Sequence, residues 1–200
     1  LRLFQAEGSD EAKKISEWLY PPDDTEEGKL LRLRQEYFFS AAAIGELAER
    51  HAARYGKNFD AFPQHNVLQL NDTHPVIAVA ELIRLLTEKY GVPFKNAVNI
   101  AKASFNYTNH TVLPEALECW NESLVKKILP KIADIIERLN KIQEKELKAL
   151  GCTKEEIADM AIYRNGTFAM ANLAVYMSSA VNGVAALHTE ILKNGLFRNA

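Results

Sequence analysis

The chain has 200 residues, of which 48% are hydrophobic and 25% charged, with a formal net charge of −2. These values suit a single globular domain with a substantial core. They provide no electrostatic footprint for nucleic acid or an anionic membrane, and no apolar run approaches the roughly 20 residues of a spanning helix.

In chain order, residues 1–5 alternate apolar and polar side chains, which predicts a short strand. A helix is expected from Ser9 or Asp10 to Leu19, its acidic first turn suiting the helix dipole. Residues 20–28 read as a loop, because Pro21 and Pro22 are incompatible with helix. A long amphipathic helix follows over 29–55, closed by Gly56. A strand is expected over 67–70, a helix over 75–90 that stops at Gly91, a helix over 93–103, and a strand over 104–108. Residues 113–120 and 122–150 read as helical, with Pro130 a kink or break. Thr153 and Glu156 form a capping-box pattern that starts another helix. The apolar run 168–177 predicts a third buried strand, and 178–192 the last helix. Helices alternating with a few short strands argue for an α/β fold: helix-rich, partly Rossmann-like, with a short, mostly parallel sheet. Cys119 and Cys152 show no framework spacing and read as reduced thiols in a cytoplasmic protein.

Two stretches carry the chemistry. Residues 69–75 (QLNDTHP) and 107–118 (YTNHTVLPEALE) each end a predicted strand with polar side chains, and a proline follows close behind. Ligands of open α/β sheets sit at the carboxyl ends of strands. Asp72, Thr73 and His74 would offer a carboxylate, a hydroxyl and an imidazole there; Asp72 or Thr73 could equally cap the next helix. His110 could donate to a sugar hydroxyl, act as acid or base, or be a packed structural histidine. Glu115 and Glu118, at i and i+3, would share a helical face. They could be a catalytic carboxylate pair, a solvated face or partners for arginine. Trp120 could stack on a sugar ring or sit in the core. Asp72, His74, His110 and His188 are ligand types that zinc accepts, but no metal-binding spacing accompanies them. Nucleotide-loop and serine-hydrolase motifs are absent from the sequence.

These stretches, with the segments 19–23 (LYPPD), 35–38 (QEYF), 58–63 (NFDAFP), 170–173 (MANL) and 180–185 (AVNGVA), resemble the α-glucan phosphorylases, the glycogen, starch and maltodextrin phosphorylase family. The resemblance runs in order along nearly the whole chain and implies a segment of the N-terminal catalytic domain of a two-domain glycosyltransferase. It implies reversible phosphorolysis, with retention, of a terminal α-1,4-glucosidic bond to glucose 1-phosphate, with pyridoxal phosphate as cofactor and a homodimeric whole enzyme. It further implies that His110 hydrogen-bonds the glucosyl unit as the catalytic contact, while Asp72, Thr73, His74 and Thr111 line the neighbouring sugar-binding region. Asp23 and Asp24 would lie in a mobile gate over the site, with Arg32, Glu115 and Glu118 as a polar pocket behind it. The cofactor lysine and the phosphate-facing loop are expected outside residues 1–200, so this chain would supply part of the sugar-binding wall and be inactive alone. A standalone glucan-binding or regulatory module is the competing expectation. Two departures stand out: Pro22 replaces a usual asparagine and should stiffen the gate, and Cys119 replaces a usual arginine.

Overall fold

Helices outweigh strands in the computed structural model, which describes residues 10–19, 21–195 and 197–199. The strand expected over 1–5 lies outside those residues. Helix α1 (Asp10–Glu17) precedes the proline loop. Helix α2 (Glu26–Tyr55) starts earlier than expected because Thr25 caps it. In extended conformation, the Thr25 hydroxyl accepts the Gly28 N–H at 3.1 Å, and Glu26 and Glu27 place negative charge at the positive end of the dipole. Gly28 therefore belongs to the first helical turn. A Cβ at that position would lie 1.8 Å from the Pro22 carbonyl oxygen, so glycine is what lets the proline loop fold back onto the helix. Gly56, at φ 78°, closes α2 as expected.

A 3-10 turn (Phe59–Ala61) and the short α3 (Phe62–His65) lead to β1 (Leu68–Asn71). Helix α4 (Ile77–Glu88) and helix α5 (Phe94–Ser104) follow, then β2 (Phe105–Asn109). A helical run over 113–120 does not form. Thr111 donates its N–H to Asn109 Oδ1 at 2.9 Å and accepts the Leu113 N–H on Oγ1 at 3.1 Å. Such side-chain bonds compete with helix. Only a 3-10 turn (Pro114–Ala116) remains before strand β3 (Cys119–Asn121). Glu115 and Glu118 consequently do not share a helical face. Pro130 breaks the next helix: α6 (Glu122–Ile128) ends at Leu129, and α7 (Pro130–Ala149) starts with the proline where a missing N–H is harmless. Thr153 and Glu156 form the expected capping box on α8 (Lys154–Met160).

The expected strand over 168–177 is corrected. Strand β5 (Thr167–Ala169) pairs antiparallel with β3 on one side and with β4 (Tyr163–Arg164) on the other, and Met170–Tyr176 is helix α9. Short apolar runs are ambiguous between helix and strand. Here Met170, Leu173, Ala174 and Met177 recur at helical spacing and are buried. The expected helix over 178–192 is shortened to α10 (Ala186–Asn194), because β6 (Val181–Gly183) takes the third place in the main sheet.

That sheet has the order β1-β2-β6 and is parallel throughout, in the register Asn71↔Thr108 and Thr108↔Asn182. The architecture is α/β with a short parallel sheet, as expected. Helix α4 is buried along nearly its whole surface, from Ile77 to Leu86, and α2, α5 and α7 pack around it. Leu70, Phe105 and Tyr107 turn one sheet face into this core. Gln69 and Asn71, exposed, and Thr108, half-buried, alternate onto the other face.

Candidate functional site

Parallel register brings the two polar stretches together. Asp72 leaves β1 by donating its N–H to the Thr108 carbonyl at 2.9 Å. It adopts φ 70°, a left-handed conformation that aspartate tolerates better than most side chains. Its Oδ1 accepts the Thr73 N–H at 2.7 Å, so the carboxylate holds the turn while Thr73 is buried and His74 half-buried. His110, one residue past β2, is exposed, and its Nε2 bonds Asn71 Oδ1. The two strand tips therefore touch through side chains, with Asp72 next in line. Alongside, Gln69 donates to Thr108 Oγ1 at 2.8 Å, and Thr108 donates to Asn182 Oδ1 at 3.1 Å, forming a polar row across the sheet. Asn71, Gln69 and Asn182 were not among the sequence candidates. The signal that could have found them is the period-2 spacing of Gln69 and Asn71 against Thr108 and His110.

Beneath this row, Asn109 is buried and donates to the Tyr107 hydroxyl at 2.9 Å. Burial, reinforced by the charges of Asp72 and Glu118, pushes that hydroxyl up to about 12. Tyr107 thus lies within electrostatic reach of a second polar region. There Arg32 binds Asp23 Oδ2 at 3.1 Å, Glu36 Oε1 at 3.2 Å and Glu118 Oε1 at 3.2 Å. Asp23, Arg32, Glu115 and Glu118 line one cavity of about 700 Å³, together with Lys29, Cys119 and Lys127 among others. Asp24 is exposed in the adjoining loop, and Glu115 is exposed at the cavity wall.

Three carboxylates around one guanidinium leave an excess of negative charge. The second oxygens of Glu36 and Glu118 are buried without a hydrogen-bond partner. Burial first, and then the neighbouring Glu118 charge, hold the Glu36 carboxyl well above the usual carboxylate range, so the pair retains a proton. Glu36 was missed in the sequence, although Arg32 and Glu36 at i and i+4 on a helix signal such a pair.

The zinc-type ligands do not converge. Among the described residues no group of three or more His, Cys, Asp or Glu side chains is placed to hold a metal, and His188 Nδ1 instead accepts the Val184 N–H at 3.3 Å. Trp120 is buried in the core. No helix among the described residues is long and apolar enough to cross a membrane.

The family model for carbohydrate phosphorylases matches residues 3–200. The chain is 42% identical over 195 residues to an α-glucan phosphorylase, H isozyme, of Triticum aestivum, covering 93% of this chain and 23% of that protein. It is 40% identical over 199 residues to the liver form of glycogen phosphorylase of Homo sapiens, covering 94% of this chain and 24% of that protein. Against the cytosolic α-glucan phosphorylase 2 of Arabidopsis thaliana, identity is 40% over 195 residues. The chain therefore spans about a quarter of the length of these relatives. With a match that runs almost from end to end, the chain belongs to the carbohydrate phosphorylase family.

Proposed function

We propose that this chain works as part of an α-glucan phosphorylase, as one segment of its N-terminal domain, and forms a wall against which a terminal glucosyl unit is held. The reaction served is transfer of that unit from an α-1,4-linked glucan to phosphate, giving glucose 1-phosphate. The observation supporting this most is the contact of the two strand tips, which bonds exposed His110 to Asn71, the residue before Asp72. A sugar needs several short-reach donors and acceptors on one rigid edge, and parallel strands hold such an edge without flexible loops.

Within this reading His110 makes the hydrogen bond to the glucosyl unit. Asp72, Thr73, His74 and Thr111 form the neighbouring rim; the buried Thr73 and the bonded Asp72 contribute mainly by holding its shape. Asp23 and Asp24 belong to the loop over the Arg32 cavity, and Arg32, Glu115 and Glu118 are the polar support behind it. Pyridoxal phosphate needs a lysine amine to hold it and a cradle for its phosphate. No lysine is buried among the described residues, and the two lining the cavity, Lys29 and Lys127, are exposed. The residues present do not fit that group, and no step is routed through it. Partners in this reading are the glucan, glucose 1-phosphate and the remainder of a homodimeric phosphorylase. The free thiols of Cys119 and Cys152 favour the cytoplasm.

Titration of the chain with maltotriose, followed by calorimetry or NMR, tests the wall. Saturable binding is expected, weakened by His110→Ala; no response up to tens of millimolar, or binding indifferent to that change, overturns it. Glucose 1-phosphate release from maltodextrin and phosphate is expected to be undetectable for the chain alone. Binding without turnover is also what a glucan-binding module would show, so restored turnover on adding the rest of a relative's phosphorylase chain favours the enzyme reading.

A further inference from the structure

We propose that Asn71 is the positioning residue of His110: its side-chain carbonyl takes the Nε2 hydrogen and leaves Nδ1 as an acceptor aimed at a ligand hydroxyl. The contact is Asn71 Oδ1 with His110 Nε2. An amide oxygen can only accept, so the imidazole must present its N–H on that side. A neutral ring then carries its lone pair on Nδ1. That atom welcomes an O–H hydrogen and repels an anionic oxygen, so the site selects for an uncharged polyol over a phosphate or carboxylate.

Both ends of the contact are anchored by backbone. Asn71 faces Thr108 in the parallel register, and the next N–H, that of Asp72, is bonded to the Thr108 carbonyl at 2.9 Å. On the other strand, buried Asn109 precedes His110 and accepts the Thr111 N–H at 2.9 Å, so the backbone on both sides of the histidine is held. The Asn71–His110 pair is the second rung on this sheet face. Gln69 to Thr108, at 2.8 Å, is the first. Because side chains at i and i+2 share a face, the strand alternation itself delivers the amide to the imidazole. In the relation of metal-bound histidines to their outer partners, the hydrogen bond at one ring nitrogen decides what the other can do. The same logic operates here without a metal.

The identity of the hydroxyl as a glucan's rests on the function proposed above; the ring orientation does not. The test is a long-range proton–nitrogen spectrum of the chain labelled with nitrogen-15 in histidine. His110 is expected in the Nε2–H form, with Nδ1 unprotonated. Asn71→Leu should lower the ratio of that form to the other about fivefold, the worth of roughly one hydrogen bond. Asn71→Asp, which keeps an accepting oxygen, should preserve it and also guards against a folding defect in the leucine variant. A wild-type ring protonated on Nδ1, or a ratio unchanged by Asn71→Leu, overturns the proposal. Added maltotriose should then move the Nδ1 resonance and not Nε2. Movement at Nε2 alone also overturns it, whereas no movement at either nitrogen counts against the glucan reading and leaves the orientation to the first measurement.

Discussion

The two polar regions on either side of Tyr107 are held by opposite means. Around Arg32, charge is concentrated, and Glu36 and Glu118 are largely withdrawn from water and depend on their neighbours for a counter-charge or a proton. At the strand tips the Asn71 amide and the His110 imidazole are exposed and placed by backbone register. A buried charge cannot be removed singly without stranding its partner, whereas a neutral exposed group can. The first region should therefore govern stability, and the second should tolerate change in the fold while losing ligand.

The largest expected effect that follows is for Arg32→Met, which keeps bulk and deletes the guanidinium. Glu36 and Glu118 would lose their shared cation, at a cost of about 3 kcal/mol by urea unfolding. A loss below about 1 kcal/mol would mean the pocket is effectively solvated and the contrast fails. Gly28→Ala comes next. Alanine favours helix by about 1 kcal/mol, but its Cβ would sit 1.8 Å from the Pro22 carbonyl oxygen, so the loop must move. A net loss of about 1–2 kcal/mol is expected, with faster proteolysis confined to residues 21–25. Stabilisation instead would show that the loop does not pack on α2.

Glu36→Gln sharpens the comparison through pH. The Glu36 carboxyl titrates above its ordinary value of 4.5 in the folded chain, so above that pH the native state retains a proton the unfolded chain has released. Its contribution is complete below about pH 4.5 and is lost as pH rises toward the raised value. Glutamine mimics the protonated acid. The variant should therefore lack this downward slope and exceed the wild type by on the order of 1 kcal/mol at pH 8. Parallel curves for the two proteins would remove the shared proton.

How much of this was legible depended on whether a segment's local chemistry agreed with its tertiary role. Helix α2, the Pro130 break and the Thr153 capping box were readable because caps and prolines act within a few residues. The run 168–177 was misread because its apolar composition suits both strand and helix, and pairing of β5 with β3, remote in sequence, decided where the strand stops. Residues 113–120 were misread because the hydrogen bonds of Asn109 and Thr111 outcompete helix there. At the candidate site the strand tips were visible as His110 and Asp72. Asn71 and Glu36 were not, because their importance comes from neighbours that only the folded register and the α2 surface supply.

The smallest expected effect, that of Asp72→Gly set against Asp72→Ala, tests whether the tips are placed by backbone alone. Asp72 sits at φ 70°, a conformation that costs an ordinary side chain roughly 1–2 kcal/mol and glycine almost nothing. Its carboxylate also accepts the Thr73 N–H at 2.7 Å, a bond worth roughly 1 kcal/mol. Asp72→Ala loses the bond and keeps the backbone cost, whereas Asp72→Gly loses the bond and sheds the cost. The glycine variant should fall within about 0.5 kcal/mol of wild type, and the alanine variant about 1–2 kcal/mol below it. Equal losses would mean the turn relaxes out of the left-handed region once the carboxylate is gone. In that event the side-chain bond, rather than strand register, is what sets the edge on which His110 and Asn71 meet.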